Sequence, residues 1–167
     1  MSEGRSTIGG MATVALREVR DSDLDAIFAM EQDTDAVRMA AFTRPDPTDR
    51  VAFDAHMARV RTSPDASTYV ITDDGEFVGT AATFLMEGDR EVTYWVVRPR
   101  WGHGIATAAL GQLIERDPVR PLFARAASAN AGSAAVLTKN GFVEIGRERS
   151  FAAGVGGEVE ETIFRLD

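Results

Sequence analysis

The chain has 167 residues, 44% of them hydrophobic and 26% charged, the proportions of one globular domain with a single core. It contains no Cys and two His, which excludes a disulfide framework, a Cys-ligated zinc, a thiol nucleophile and a multi-histidine metal site. A net charge of −8 argues against nucleic-acid and anionic-membrane partners, whose phosphates and headgroups would repel it.

Residues 1–12 are small, polar and aperiodic, and are expected to form a flexible tail ahead of one domain over 13–167. They offer no apolar core for a signal peptide. The longest apolar stretch, near Thr80–Met86, falls far short of the ~20 residues that span a bilayer. A cytoplasmic location is the expectation.

Alternation over Thr13–Val19 predicts a first strand. Ser22, with Asp25 three residues on, predicts a capped helix whose inner face is Leu24, Ile27 and Phe28. The acidic residues Asp23, Asp25, Glu31, Asp33 and Asp35 read as a solvated rim. Asp46-Pro47 announces a second helix, with Phe53, Met57 and Val60 as its buried stripe. Strands follow at Ser67–Thr72, Phe77–Leu85 and Glu91–Val97, joined by turns at Asp73-Asp74-Gly75 and Glu87-Gly88-Asp89. A helix runs from about Gly104 to Glu115, a strand over Leu122–Ala127, and a helix over Ala131–Asn140 closed by Gly141. Phe142–Arg149 and Glu160–Leu166 complete the chain as strands. The order β-α-α-β-β-β-α-β-α-β-β predicts one α+β domain, a mixed, mostly antiparallel seven-stranded sheet flanked by four helices.

The segment with most chemical content is Val96-Val97-Arg98-Pro99-Arg100-Trp101-Gly102-His103-Gly104-Ile105-Ala106-Thr107. A strand ends, two glycines alternate and a helix begins, so backbone N–H groups and the helix dipole can converge on an anion such as a pyrophosphate. Turn chemistry alone also allows a tight strand-to-helix connection with no ligand. Two phosphate fingerprints fail. The third glycine of a dinucleotide turn is replaced by Thr107, and the lone Lys of the chain, Lys139, lies too far downstream for a P-loop.

The segment resembles the acyl-CoA motif R/Q-x-x-G-x-G/A of the GNAT superfamily of N-acyltransferases, with Trp101 in place of the usual Arg or Gln. A second block, Asn130 to Phe142, resembles the N-x-x-S-x-x-V-L-x-K-x-G-F pattern of its RimJ/RimL-like branch, which acetylates protein N-termini. The resemblance runs from about Thr13 to Leu166 and implies a GNAT fold that uses acetyl-CoA and no metal. It implies that the N–H groups of Gly102, His103, Gly104, Ile105, Ala106 and Thr107 cradle the CoA pyrophosphate. The pantetheine would pair with the backbone near Trp95, Val96 and Val97, and Asn130 would bond the pantetheine or its thiol end. Direct attack of a primary amine on the thioester is the implied reaction, the acceptor being a peptide N-terminus or a small-molecule amine. Dimers are common in such families, so a homodimer is a possible state.

An amine of ordinary pKa about 10.4 is almost wholly protonated at neutral pH, so a base is useful. Glu91 is the first candidate, although it reads equally as an exposed strand carboxylate. Tyr94 is a candidate for positioning substrate, or a packed aromatic. Leu137 stands where many relatives place an acidic Tyr, which leaves Ser133 as candidate acid or as a hydroxyl anchoring its helix. Phe42, Phe53 and Phe84 read as core, and Arg98, Arg100 and Lys139 as partial compensation for the charge of CoA. The missing Tyr and motif Arg/Gln keep a non-catalytic acyl-CoA-binding module open as the alternative.

Overall fold

A computed structural model describes residues 13–167; the tail expected over 1–12 lies outside the described residues. Strands β1 (Val14–Glu18), β2 (Ser67–Asp73), β3 (Glu76–Met86), β4 (Asp89–Val96), β5 (Leu122–Ala127), β6 (Val143–Ala152) and β7 (Gly157–Leu166) form one sheet in the order β1-β2-β3-β4-β5-β7-β6. All neighbours are antiparallel except β4 and β5. A parallel pair needs a long crossover, and here the helix α4 (Ile105–Arg116) supplies it.

The two faces of the sheet carry different helices. On one, α4 buries Ile105, Ala109, Leu110 and Leu113 against Val92 and Val96 of β4 and Leu122 and Ala124 of β5, and α5 (Ala131–Lys139) adds Leu137. On the other, α1 (Leu24–Met30) and α3 (Arg50–Thr62) bury Ile27, Phe53 and Met57 against Val70. The i, i+4 stripe of α3 is the one the sequence announces.

The described residues hold five α-helices, not the expected four. The extra one is α2 (Thr34–Ala40), capped by Asp33, whose carboxylate accepts from the N–H groups of Asp35 and Ala36. Its acidic start hid it, because negative charge in a first turn reads as a solvated rim while it also suits the helix dipole. Asp23 is no rim residue either. It is buried, receives two hydrogen bonds from Arg17 at 2.7 and 2.8 Å, and accepts from the backbone of Arg20. That partner holds its carboxyl below the ordinary value. The caps also shift by a turn: Asp49, rather than Asp46, accepts from Ala52 to start α3, while Asp46 closes a turn on Thr48.

Gly79 of β3 sets how closely β4 approaches. A Cβ at Gly79 would lie 2.0 Å from the carbonyl oxygen of Trp95. Gly79→Ala must therefore push β4 outward where the candidate site begins. The expected cost is about 1–3 kcal/mol of stability, read from the urea midpoint.

Candidate active site

β4 and β5 share only two register pairs, Arg90 with Leu122 and Glu91 with Phe123. Beyond Glu91 the strands part, while each keeps its outer neighbour: β4 pairs with β3 to Val96, and β5 with β7 to Ala127. The wedge between them is part of a cleft of about 750 Å³, lined from both faces of the sheet.

The α4 side of the cleft is main chain. Gly102 and Gly104 take φ values of 78° and 75°, a region that favours glycine, and Gly104 is the N-cap of α4 without any side-chain cap. The first intrahelical bond there runs from Ala108 to Gly104. The six consecutive N–H groups of Gly102 through Thr107 have no hydrogen-bond partner among the described residues. They sit where the helix dipole adds about half a positive charge. Trp101 closes this turn onto the strand: its indole N–H donates to the carbonyl of Val96 at 2.8 Å. Arg98 and Arg100 are tied into ion pairs, Arg98 with Asp33 and Asp35, Arg100 with Asp73 and Glu76. Lys139 lines the cleft without an ion pair among the described residues.

Strand alternation assigns the main-chain groups of β4. The N–H of Val97 donates to Val78 at 2.9 Å, and the carbonyl of Trp95 turns toward Gly79. Backbone groups of alternate residues point to opposite edges of a strand, so Tyr94 and Val96 aim theirs into the wedge. Of the three residues expected to pair with pantetheine, Val96 alone directs its N–H there. Trp95 lines the cleft, whereas Val97 and the exposed His103 are outside its lining.

Tyr94 points to the α5 face. Its hydroxyl lies 2.7 Å from Ser133 Oγ and donates to the Ser133 carbonyl at 3.2 Å. Burial pushes the Tyr94 hydroxyl up to about 12, with the Ser133 contact opposing, so it is protonated throughout the physiological range. Asn130 is the N-cap of α5: its Oδ1 accepts from the N–H of Ser133, and its Nδ2 donates to the Met39 carbonyl at 3.4 Å.

Glu91 faces the opposite way and is 4% exposed, not an exposed strand carboxylate. Arg125 of β5 stands over it at 3.6 Å, reaches Glu161 of β7 at 3.8 Å, and donates to Glu148 of β6 at 3.1 Å. Burial raises the Glu91 carboxyl above its ordinary value; Arg125 opposes, and Glu161, Asp89 and Glu87 add to the rise. Sequence reasoning missed Arg125 and Glu161, yet a signal existed. For Arg125 it is a lone charge among the small and apolar positions of β5; Glu161, in the polar run Glu160-Glu161-Thr162, carries no such mark.

The wall above Glu91 comes from α2 and its exit. Met39, Phe42 and Phe84 line the cleft; Phe42 also packs against the buried Ala41, Ala127 and Ala152, Phe84 is half-buried, and Phe53 is wholly buried. Phe42 is turned by Ala41, which has φ 63° and ψ −53° and is bridged by a hydrogen bond from Phe42 N to Ala40 O at 2.7 Å. This is the strained form of the γ-turn, and it persists only where neighbours enforce it. Gly154, in the β6–β7 turn, enforces it: its N–H donates to the Ala41 carbonyl at 2.7 Å.

Residues 13–143 match the family model described as the acetyltransferase (GNAT) domain. The chain belongs to the GNAT acetyltransferase family. Solved structures with the same fold include spermidine N-acetyltransferase from Vibrio cholerae in complex with CoA and spermine. Its TM-score is 0.79 at 14% identity, over 92% of this chain and 95% of that one. RimJ of Mycobacterium smegmatis in complex with CoA-disulfide gives 0.76 at 25% identity, over 92% and 81%. Ribosomal-protein-alanine N-acetyltransferase from Brucella melitensis gives 0.70 at 25%, over 91% and 98%. No curated protein matches the chain by sequence. Among the described residues no helix is long and apolar enough to cross a membrane.

In a GNAT acetyltransferase built this way, Gly154 acts on one side of the cleft only. A Cβ there would lie 2.4 Å from the Val37 carbonyl and 2.8 Å from that of Ala41. Gly154→Ala is expected to raise the acceptor KM about threefold or more through the displaced α2 wall. Calorimetric affinity for acetyl-CoA should stay within about twofold, because the substitution touches α2 and not the free N–H groups at the start of α4.

Proposed function

We propose that this acetyltransferase binds acetyl-CoA along the α4 face of the wedge and transfers its acetyl group directly to a primary amine entering from the α2 face. The observation that carries the reading is the row of six unpartnered N–H groups at the start of α4, opening into a cleft that continues through the sheet to a buried Glu91. Those amides fit a pyrophosphate, which needs several convergent donors and gains from the helix dipole. Trp101 offers no charge to a phosphate. It fastens the loop to Val96, which supports a positioning role in place of the motif's Arg or Gln. The remaining donor capacity of Asn130 and the cation of Lys139 serve the same ligand in this reading.

Acetyl-CoA supplies an activated acyl group, and the residues of the chain supply the rest. The N–H of Val96, aimed into the wedge, polarises the thioester carbonyl. Glu91 takes a proton from the incoming ammonium. Burial makes it a stronger base than an ordinary carboxylate, while the Arg125 guanidinium favours its ionised form. The freed nitrogen lone pair forms the C–N bond while the C–S bond breaks and its electron pair leaves with sulfur. Ser133 gives the sulfur a proton and Tyr94, bonded to it, replaces that proton. The second proton lost by nitrogen balances this gain, so one proton in all reaches solvent. Base and acid lie on opposite faces of the sheet, with the reacting carbon in the gap between them.

The acceptor class that fits is a primary amine, either a peptide N-terminus or a small-molecule amine, and a cytoplasmic setting belongs to the same reading. Isothermal calorimetry should show binding of acetyl-CoA and none of NAD or ATP; no binding of acetyl-CoA by folded protein refutes the proposal. With an acceptor found by thiol release, Glu91→Gln should lower kcat by about 100-fold or more while acetyl-CoA affinity holds. The acidic limb of the wild-type pH profile lies above the ordinary carboxylate range, because Glu91 must be ionised to act, and the variant loses that limb. An unchanged profile would move the base elsewhere.

A further inference from the structure

We infer that Glu161 is the acceptor-binding residue of this enzyme, pairing with Glu91 to receive the substrate as a primary ammonium on an apolar stem. The inference rests on the acetyltransferase reading and adds to it the residue that selects the acceptor. Three observations carry it.

The first is a lack of hydrogen bonds on two largely buried residues whose oxygens stay open to the cleft. Glu161 is 6% exposed and Glu91 4%, both line the cleft, and neither carboxylate accepts a hydrogen bond from any described residue. Their contact with protein is Arg125, at 3.8 and 3.6 Å, outside hydrogen-bond range for a charged pair. Buried carboxylates ordinarily accept several hydrogen bonds. Two that accept none, facing one cavity, are acceptors waiting for a donor with more than one N–H. A primary ammonium has three.

The second is charge. Arg125 is shared among Glu91, Glu148 and Glu161, so the cluster keeps a net negative charge when ionised. Glu148 and Glu161 stand directly opposite in the β6–β7 ladder, a like-charge pairing that costs stability. A cationic guest relieves it. Asp89, at the start of β4, and Glu87, on the β3–β4 turn, add to the same field. The only described cation in the cluster is Arg125.

The third is the surrounding wall. Met39, Phe42, Phe84 and Trp95 line the cleft with the two carboxylates. An ammonium held at the base of an apolar wall requires an apolar stem behind it, and a neutral or anionic head would leave the carboxylates unpaired.

The test uses three measurements on the full chain, with acetyl-CoA binding determined first for each protein. Calorimetry then compares 2-phenylethylamine with 2-phenylethanol, which shares the stem and lacks the charge. Wild type is expected to bind the amine at least about tenfold more tightly than the alcohol. In E161Q the amine should weaken by about tenfold, the preference over the alcohol should shrink correspondingly, and acetyl-CoA affinity should hold.

Stability gives the control. Burial raises Glu161 above its ordinary value of 4.5, so the folded chain holds this proton more tightly than the unfolded one. The associated stability is full below pH 4.5 and is lost as pH rises through the raised value. At pH 8 a neutral Gln escapes that loss, and E161Q should melt at or above wild type. Equal wild-type binding of amine and alcohol overturns the inference without any variant. So does an amine affinity unchanged in E161Q. Failure of wild type to bind acetyl-CoA, by contrast, removes the acetyltransferase reading itself.

Discussion

Everything functional in this molecule depends on two strands that stop pairing. β4 and β5 meet over Arg90 and Glu91 and then separate. Their outer edges stay bonded to β3 and β7, so the sheet survives while its middle opens. A gap of this kind exposes backbone donors and acceptors that folding normally consumes, and it joins two faces that a sheet normally isolates. α4 and α5 line the cleft on one face and α2 on the other, and the two halves meet where the strands diverge. Glu91 is the last residue of the paired stretch, so it stands where the two halves meet.

Much of this was legible in the chain. Gly102 and Gly104 at a strand-to-helix junction forecast the row of free amides, because few other residues accept φ near 75° there. The apolar stripes of α3 and α4 located the core. The acceptor half was harder to read for a physical reason: its parts are set by tertiary contacts between segments far apart in sequence. The acidic start of α2 reads in sequence as a solvated rim. Phe42 faces the cleft because Ala41 is held in a strained turn by Gly154, more than a hundred residues away, and no local pattern encodes that. Glu161 and Arg125 become meaningful only when β5 and β7 lie side by side. Trp101, an apparent defect in the phosphate motif, is a brace whose purpose rests on one hydrogen bond to Val96.

The site also concentrates the energetic conflicts of the fold. Arg17 and Asp23, remote from the cleft, form a bidentate, well-bonded pair. Glu91 and Glu161 have no such partners. A sequence selected only for stability would place neutral or apolar groups at both positions, since burying unsatisfied charge is costly. Their presence in an otherwise well-satisfied structure fits the proposal that their partner arrives from outside.

The contact of Gly154 with α2 has a consequence for how such a scaffold diversifies. The β6–β7 turn belongs to the far edge of the sheet, away from the phosphate cradle, and turns of this kind tolerate changes in length and composition. Here that tolerant segment grips the carbonyl that ends the α2 wall of the cleft. Lengthening or stiffening the turn would therefore act as a width adjustment on the acceptor mouth, at constant cofactor chemistry. On the proposed reading, selection could retune what the enzyme acetylates by editing a surface hairpin, leaving the α4 side of the cleft in place.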